Sequence, residues 1–445
     1  MRAIPTRSPA RPAPGIWRSW SGLSVARPAQ VLAPRDPGDV VDAVVVARHA
    51  GLRVRMAGSG HSFTDAALTD GLLLLPERLS GVTEVDPRAG TVTALAGTPL
   101  RVLNAELDRH GLALHNLGDI DRQTVAGAIA TGTHGTGGRH ASLSAQVCAL
   151  EIVRADGSVV RLEEGGPHGD LLDAARVSLG ALGVVTTVTF RVEPSFTLAA
   201  DEEAMRFDDA LERYDALVED NDHVDLYWFP HTDRVLVKRH NRTTEPPAPL
   251  GRMRGWVEDE LLTNTAFGWL NRAGNAAPRL VPPLNRFAAR VQGSRSYRDA
   301  SHRVLVSSRR VVFKEMEYAV PRAAGVPALR EVRARIDRAG WRIGFPVEVR
   351  CTPDDGAWLS TAYRRPSVYL AFHVNAQADH RAYFTGVEEV LRQVGGRPHW
   401  GKLHTRTAED LAPAYPRFAD FLRVRRSHDP DGVFTNPYLE RVLGR

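Results

Sequence analysis

Four short segments hold residue types whose spacing suits chemistry. The first, Arg55-Met56-Ala57-Gly58-Ser59-Gly60-His61-Ser62-Phe63, sets a tight glycine turn just before a histidine. Glycines let backbone approach a ligand, and consecutive amides in such a turn form an anion-binding nest. A dinucleotide fingerprint of the G-x-G-x-x-G type would need glycine where Phe63 stands, so the Rossmann reading fails at that residue. By itself the turn is as readily structural, and His61 an ordinary loop histidine. The second segment is Gly118-Asp119, followed by Gln123-Thr124-Val125-Ala126-Gly127-Ala128-Ile129-Ala130-Thr131-Gly132-Thr133-His134-Gly135-Thr136-Gly137-Gly138. Its small residues, hydroxyls and exposed amides suit a diphosphate without any lysine; the alternative is a tightly packed small-residue helix.

The third segment, Phe345-Pro346-Val347-Glu348-Val349-Arg350, reads as a strand. Period two puts Glu348 and Arg350 on one face, where a carboxylate and a guanidinium can enter the same cavity. A surface ion pair is the plainer reading of the same spacing. The fourth, Arg397-Pro398-His399-Trp400-Gly401-Lys402, is a rigid turn that can present an amine. That amine stands out, because only Lys238, Lys314 and Lys402 among the 57 basic residues are lysine and the rest are arginine. Each lysine therefore invites a question, although Lys238 and Lys314 read as ordinary surface positions.

The elements that must position these segments alternate between short helices and short strands from about residue 30 to 195. Pro37 to Ala50 reads as a helix opened by Asp36 and closed by Gly51, with Val40, Val41, Val44 and Val45 on its apolar face. Strands are expected at Arg53 to Ala57, Leu72 to Leu75 and Thr91 to Ala96, and a helix at Pro99 to His110. A hairpin follows over Val147 to Leu162, turning at Asp156-Gly157, and then a strand over Leu182 to Val192. After Pro194 the character changes to an acidic helix, two aromatic-rich strands and the proline-rich stretch Glu245 to Pro249. Helices are expected near Ala323 to Ala339 and Tyr383 to Val394, and a strand carrying His373 over Ser367 to Val374. The stretch from His399 to Arg445 is too small for its own core and must pack on the rest.

At 445 residues the chain holds two or three domains, on a prior of about 150 residues each. The composition, 43% hydrophobic and 24% charged, excludes disorder for most of its length. A net charge of +5, with acids interleaved among the bases, argues against a nucleic-acid binder. No apolar run approaches the ~18 residues of a membrane span, and Met1 to Ile16, with four prolines, lacks the apolar core of a signal peptide. Cys148 and Cys351 stand far apart and in no metal-ligand spacing. A cytoplasmic protein, with any membrane association peripheral, is the expectation.

In this order and spacing the four segments resemble one family, the flavin-dependent aldonolactone and alditol oxidoreductases of the vanillyl-alcohol-oxidase superfamily. The likeness runs from about Trp17 to Arg445. Asn221-Asp222-His223, Met316-Glu317-Tyr318 and Arg441-Val442-Leu443-Gly444 look most like actinobacterial L-gulono-1,4-lactone dehydrogenases and D-arabinono-1,4-lactone oxidases. The resemblance implies an α+β fold: a two-subdomain FAD-binding domain over residues 17–195 and an α+β substrate (cap) domain over 196–398. It also implies a C-terminal segment, 399–445, that packs back near the flavin, with residues 1–16 a flexible arm. His61 matches the histidine bonded to the 8α-methyl of FAD. The cofactor contacts would fall on Gly58, Ser59, Gly60, Ser62, Gly118, Asp119, Thr124, Gly127, Thr131, Gly132, Thr133, His134 and Val184.

Oxidising an alcohol carbon needs a base for the hydroxyl proton and positive charge over the developing alkoxide. By resemblance Glu348, Arg350 and Lys402 converge on the substrate. Arg350 holds its proton too firmly to be the base. Lys402 and Glu348 then compete for that role; an ammonium beside Arg350 should have its pKa lowered by like charge and burial, which favours Lys402 as a base held by Glu348. Gly118 corresponds to a place beside the flavin where a small residue admits oxygen, favouring an oxidase that makes hydrogen peroxide. Asp119 departs from the serine of alditol oxidases and tilts the pocket towards a lactone; His373 is a further pocket residue. The expected reaction is oxidation of L-gulono- or D-arabinono-1,4-lactone to an ascorbate-type enediol. The alternatives are an alditol oxidase and a lactone dehydrogenase using another electron acceptor. A metal protein built from His61, His115, His134 and His140 lacks ligand spacing on any one element, so no metal is expected. A flavin-storage protein would show a chromophore that no lactone or polyol bleaches.

Overall fold

The computed structural model describes residues 15–251, 253, 267–291, 293–307 and 311–445; the arm expected over residues 1–16 lies outside these except for Gly15 and Ile16. Three short runs, β1 (Gln30–Leu32), β2 (Val54–Met56) and β3 (Leu72–Leu74), form a parallel sheet in the order β1-β3-β2. Parallel strands are covered on both faces, which is why Leu72, Leu73 and Leu74 are apolar without alternation and all buried. The helix Pro37–His49 joins β1 to β2. Asp36 caps it by accepting from the Asp39 amide at 3.0 Å, and Val40, Ala43, Val44 and Ala47 bury its inner face.

A second, antiparallel sheet uses β4 (Val82–Asp86), β5 (Thr91–Leu95), β6 (Val147–Val153), β7 (Val159–Glu163) and β8 (Val184–Arg191) in the order β7-β6-β8-β5-β4. The expected β6–β7 hairpin turns at Asp156-Gly157, where Asp156 accepts from the Ser158 amide and Gly157 takes φ +83°. Trp400, Leu411, Phe421, Phe434 and Leu439, from the far end of the chain, share the core of these two sheets. Arg55 on β2 helps to close that core. Its buried guanidinium donates to the carbonyls of Ala66 at 2.9 Å, Phe434 at 2.8 Å and Gly180 at 3.2 Å.

The third sheet has eight antiparallel strands: β9 (Thr197–Arg206), β10 (His223–Trp228), β11 (Arg234–Thr243), β12 (Arg295–Ala300), β13 (Phe313–Pro321), β14 (Val347–Thr352), β15 (Ser367–Asn375) and β16 (Arg397–Pro398). Their order is β12-β9-β11-β10-β14-β15-β13-β16. The acidic run at Asp201-Glu202-Glu203 conceals β9; it becomes a strand because Glu202 is paired across it with Arg295 and Lys238, and the acidic helices Phe207–Glu212 and Tyr214–Asp220 come after it. Period two then sorts the sheet into two faces. Val224, Leu226, Met316, Tyr318, Val347, Val349, Leu370 and Phe372 meet the helices Arg322–Ala339 and Arg381–Gln393 in one apolar core. The alternate positions Asp225, Tyr227, Glu315, Glu317, Glu348, Arg350 and His373 fall on the opposite face.

That polar face also buries His223 and, opposite it on β11, His240, with His140 stacked on His223 at 4.7 Å between ring centroids. Burial, then the charge of neighbouring groups, lowers the pKa of His223 to about 4 and of His240 to about 3. Histidines neutral when folded and titrating at ~6.5 when unfolded keep full stability above that pH and lose it on acidification, by up to ~1.4 kcal/mol per group per pH unit. Thermal melts of the FAD-loaded protein should therefore show a midpoint that falls steadily from about pH 6.5 to 5, and less steeply in His240→Leu. Equal acid sensitivity in the variant would remove His240 from the explanation.

Candidate active site

Two clefts meet at the glycine turn after β2. The larger, about 1050 Å³, is lined by Gly58, Ser59, Gly60, His61 and Ser62 together with Thr124, Gly127, Thr131 and Val184. The second, about 710 Å³, is lined by Asp119, Glu315, Glu317, Glu348, Arg350, Lys402 and neighbours. His61, Ser62, Gln123 and Thr131 belong to both.

Local packing explains the turn. Gly60 adopts φ +70°, and its carbonyl accepts from the Trp20 amide at 2.8 Å while the Trp20 ring stacks on His61 with centroids 5.4 Å apart. A Cβ on Gly58 would overlap Thr124 Oγ1, which caps the helix Val125–Ala130 by accepting from the Gly127 amide at 3.3 Å. Backbone therefore forms the cleft wall where any side chain would fill it. Burial first, then Lys402 and Arg122, lowers the His61 pKa to about 4, so the imidazole is neutral. Gly118 and Thr133 lie in the second cleft, where a Cβ on Gly118 would press on Thr133 Cγ2 at 2.9 Å. Gly132 lines neither cleft.

In the second cleft Glu348 and Arg350 come together as their spacing on β14 requires. The Arg350 Nη2 donates to Glu348 Oε1, its Nε to Asp225 Oδ1 at 3.0 Å, and Nη2 stands 3.5 Å from Asp119 Oδ2. Burial alone would lower the guanidinium pKa, but Glu348, Asp119 and Asp225 together hold it well above its ordinary value. Tyr227 Oη donates to Glu348 Oε1 at 2.6 Å, so that carboxylate is oriented from two sides.

Lys402 departs from its expected setting. Its Nζ donates to Glu315 Oε2 on β13 and lies 5.3 Å from the centroid of the Phe63 ring. Burial pushes the ammonium pKa down as expected, yet Glu315 and Glu317 outweigh it and the net shift is upward. The expected lowering, and with it the argument for an amine base, is overturned by two carboxylates that the four segments did not include. His373 is likewise displaced from the pocket: it stands behind Glu315, with Nε2 3.4 Å from Oε1 and Nδ1 3.2 Å from the Pro346 carbonyl. Burial would raise the Glu315 carboxyl, but Lys402 and His373 hold it well below the usual range.

His134 belongs with Glu317 and not with the glycine turn. Its Nε2 is 3.1 Å from Glu317 Oε1, its Nδ1 2.9 Å from the Gly135 carbonyl, and its ring stacks on Tyr369 at 3.6 Å. Both ring nitrogens face oxygen atoms, which fixes the ring beside the Glu317 carboxylate. Burial works against the Glu317 charge, but His134, His399 and Lys402 bring its pKa to about 2. The ligand-type atoms of His134, Glu317 and His399 all lie within 4.8 Å of one another. His61, His115 and His140 do not join them: His115 Nδ1 meets Glu193 at 2.9 Å and His140 stacks on His223. The signal that could have found Glu315 and Glu317 is the same period-two argument that singled out Glu348 and Arg350, applied to Phe313-Lys314-Glu315-Met316-Glu317-Tyr318.

Comparison with known proteins agrees with this architecture. The family model described as D-arabinono-1,4-lactone oxidase matches residues 188–442, and the one described as FAD binding domain matches residues 28–163. L-gulono-1,4-lactone dehydrogenase of Mycobacterium tuberculosis is 41% identical over 431 residues, covering 96% of this chain and 99% of that one. L-gulonolactone oxidase of Mus musculus is 32% identical over 434 residues, covering 96% and 98%. Among solved structures, cholesterol oxidase from Brevibacterium sterolicum superposes with a TM-score of 0.80 at 18% identity, covering 99% of this chain and 100% of that one, a likeness of fold.

Gly58→Ala should yield a folded protein that purifies with several-fold less FAD per chain, read from the flavin absorbance of the denatured supernatant and pellet together. Adding Thr124→Ala removes the overlapping hydroxyl and should recover part of the loss. Full FAD content in Gly58→Ala would show that the cleft does not need bare backbone there.

Proposed function

The chain belongs to the D-arabinono-1,4-lactone oxidase family, whose members are FAD-dependent oxidoreductases, and from that premise we propose that it oxidises L-gulono- or D-arabinono-1,4-lactone to an ascorbate-type enediol. The observation that carries this reading is the state of the two cations in the second cleft. Lys402 is matched by Glu315, and Arg350 by Glu348, Asp225 and Asp119. A cleft whose cations are already neutralised suits an uncharged, hydroxyl-rich ring and disfavours the open-chain carboxylate that a lactone gives on hydrolysis.

FAD, when bound, supplies the hydride acceptor. The residues present fit it: bare backbone at Gly58 to Gly60, hydroxyls at Ser59, Ser62, Thr124 and Thr131, and a cleft long enough to run from Val184 to His61. The neutral imidazole of His61, held by Trp20 where the clefts meet, is suited to a covalent bond to the cofactor. On the substrate side Glu348 is the proposed base, because Lys402 is held as an ammonium and cannot take a proton. Arg350 and Lys402 set positive charge beside the oxygen that loses its proton. Asp119 and the Tyr227–Glu348 hydrogen bond orient the hydroxyls of the ring.

Gly118 favours oxygen as the acceptor, with hydrogen peroxide as product. We place the protein in the cytoplasm, which suits its two free cysteines. No described helix is long and apolar enough to cross a membrane. The exposed Trp269 and Phe287, close in sequence to Arg272, Arg286 and Arg290, suit a peripheral contact with an anionic surface.

Purified protein should consume the two lactones, with peroxide formed in air, and turn over xylitol or sorbitol at least ~10-fold less well in kcat/KM. A preference for the alditols would overturn the lactone assignment, and turnover only with an added acceptor would make it a dehydrogenase. Acid precipitation should leave the yellow colour in the pellet; colour in the supernatant would refute the bond to His61. Flavin reduction should stay flat from about pH 8 to 10, whereas a rise of about tenfold per pH unit would restore Lys402 as the base.

A further inference from the structure

Of the three lysines, Lys238 and Lys314 have no place in either cleft; Lys314 donates to the Ala378 carbonyl at 2.8 Å, and Lys238 has charged partners. It is half-buried on β11, and the strand register makes it part of a row of alternating charge that crosses the sheet. Arg295 on β12 lies opposite Glu202 on β9, Glu202 opposite Lys238 on β11, and Lys238 opposite Asp225 on β10. The row ends on β14, where Arg350 Nε donates to Asp225 Oδ1 at 3.0 Å. Within it Arg295 Nη2 meets Glu202 Oε1 at 2.8 Å and Lys238 Nζ meets the same oxygen at 3.4 Å. The Lys238 ammonium also lies 5.0 Å from the centroid of the Tyr227 ring, whose hydroxyl holds Glu348.

We propose that Lys238 is a positioning residue for the reaction: acting through Asp225 and Tyr227, it keeps Arg350 and Glu348 fixed towards the cleft without touching the substrate. This rests on the reading that Arg350 and Glu348 act on the substrate. A guanidinium can point only where its carboxylates hold it, and Asp225 is the one that approaches from behind the cleft. Asp225 is buried, and the charges facing it are Arg350 and Glu348 from β14, Lys238 from β11 and Asp119 from the loop across the cleft. Burial raises its pKa to about 6, with Glu348 and Asp119 adding to the rise and Arg350 and Lys238 opposing it. Ionised Asp225 anchors Arg350, and protonated Asp225 gives up the ionic part of that anchor. Removing Lys238 raises the Asp225 pKa further, so the anchor is lost at a higher pH.

The test is the pH dependence of kcat/KM for FAD-loaded Lys238→Met and Lys238→Arg, with FAD content and thermal midpoint measured alongside. It uses whichever lactone or alditol reduces the flavin, so a wrong substrate assignment changes the assay and not its outcome. The acid limb of Lys238→Met should move upward by about one pH unit, giving about fivefold loss near pH 6 and almost none near pH 8. Lys238→Arg, which keeps the charge, should follow the wild type. If Lys238→Met is too unstable to assay, Lys238→Gln is read in the same way. A limb that stays in place, or a loss equal at every pH, would overturn the proposal, as would a displaced limb in Lys238→Arg.

Discussion

A buried cation needs acceptors beside it, because a single unmatched charge there costs several kcal/mol; carbonyls serve Arg55, and carboxylates serve the guanidinium and the ammonium of the second cleft. This constraint accounts for more of the molecule than any other. It puts Glu348, Asp225 and Asp119 around Arg350, and Glu315 beside Lys402. It extends outward through Lys238 and Glu202 to Arg295, so that the outermost strand of the eight-stranded sheet is joined electrostatically to the cleft. The opposite face of the same strands is free to be apolar, and there the helices Arg322–Ala339 and Arg381–Gln393 close the core. One set of strands thus satisfies two opposite demands through period two alone.

Much of this was legible in the residues. The helix caps, the β6–β7 hairpin and the pairing of Glu348 with Arg350 follow from local rules that need no distant partner. The glycine turn before His61 was equally plain, and the resemblance of four ordered segments gave the family. What local rules did not reach was the identity of partners brought in by topology. Glu315 is 87 residues from Lys402 in sequence and becomes its neighbour because the chain returns beside β13 through β16. The wrong direction for the Lys402 pKa has that single cause: the cation Arg350 was in view, and the two carboxylates on β13 were not.

Lys238 shows the same limit from the other side. Composition singled it out, and nothing in its own neighbourhood, Val237-Lys238-Arg239, distinguishes it from a surface residue. Only the register of three strands puts it between Glu202 and Asp225. His373 and His134 were each singled out by sequence, and each has its main partner in a glutamate of β13, contributed by the other half of the chain in the case of His134. In this molecule the chemistry-bearing residues are recognisable one at a time, whereas their protonation states belong to the sheet.

Hydride removal from a lactone carbon in the cleft between His61 and Arg350 is the central step proposed. The most direct measurement is anaerobic rapid mixing of FAD-loaded protein with L-gulono-1,4-lactone, unlabelled or carrying deuterium at the carbon whose hydroxyl is oxidised, while the flavin absorbance is followed. With that step the flavin should bleach in a single turnover and do so several-fold more slowly with deuterium. A flavin that stays oxidised with the lactone would contradict it, as would bleaching at the same rate with either isotope.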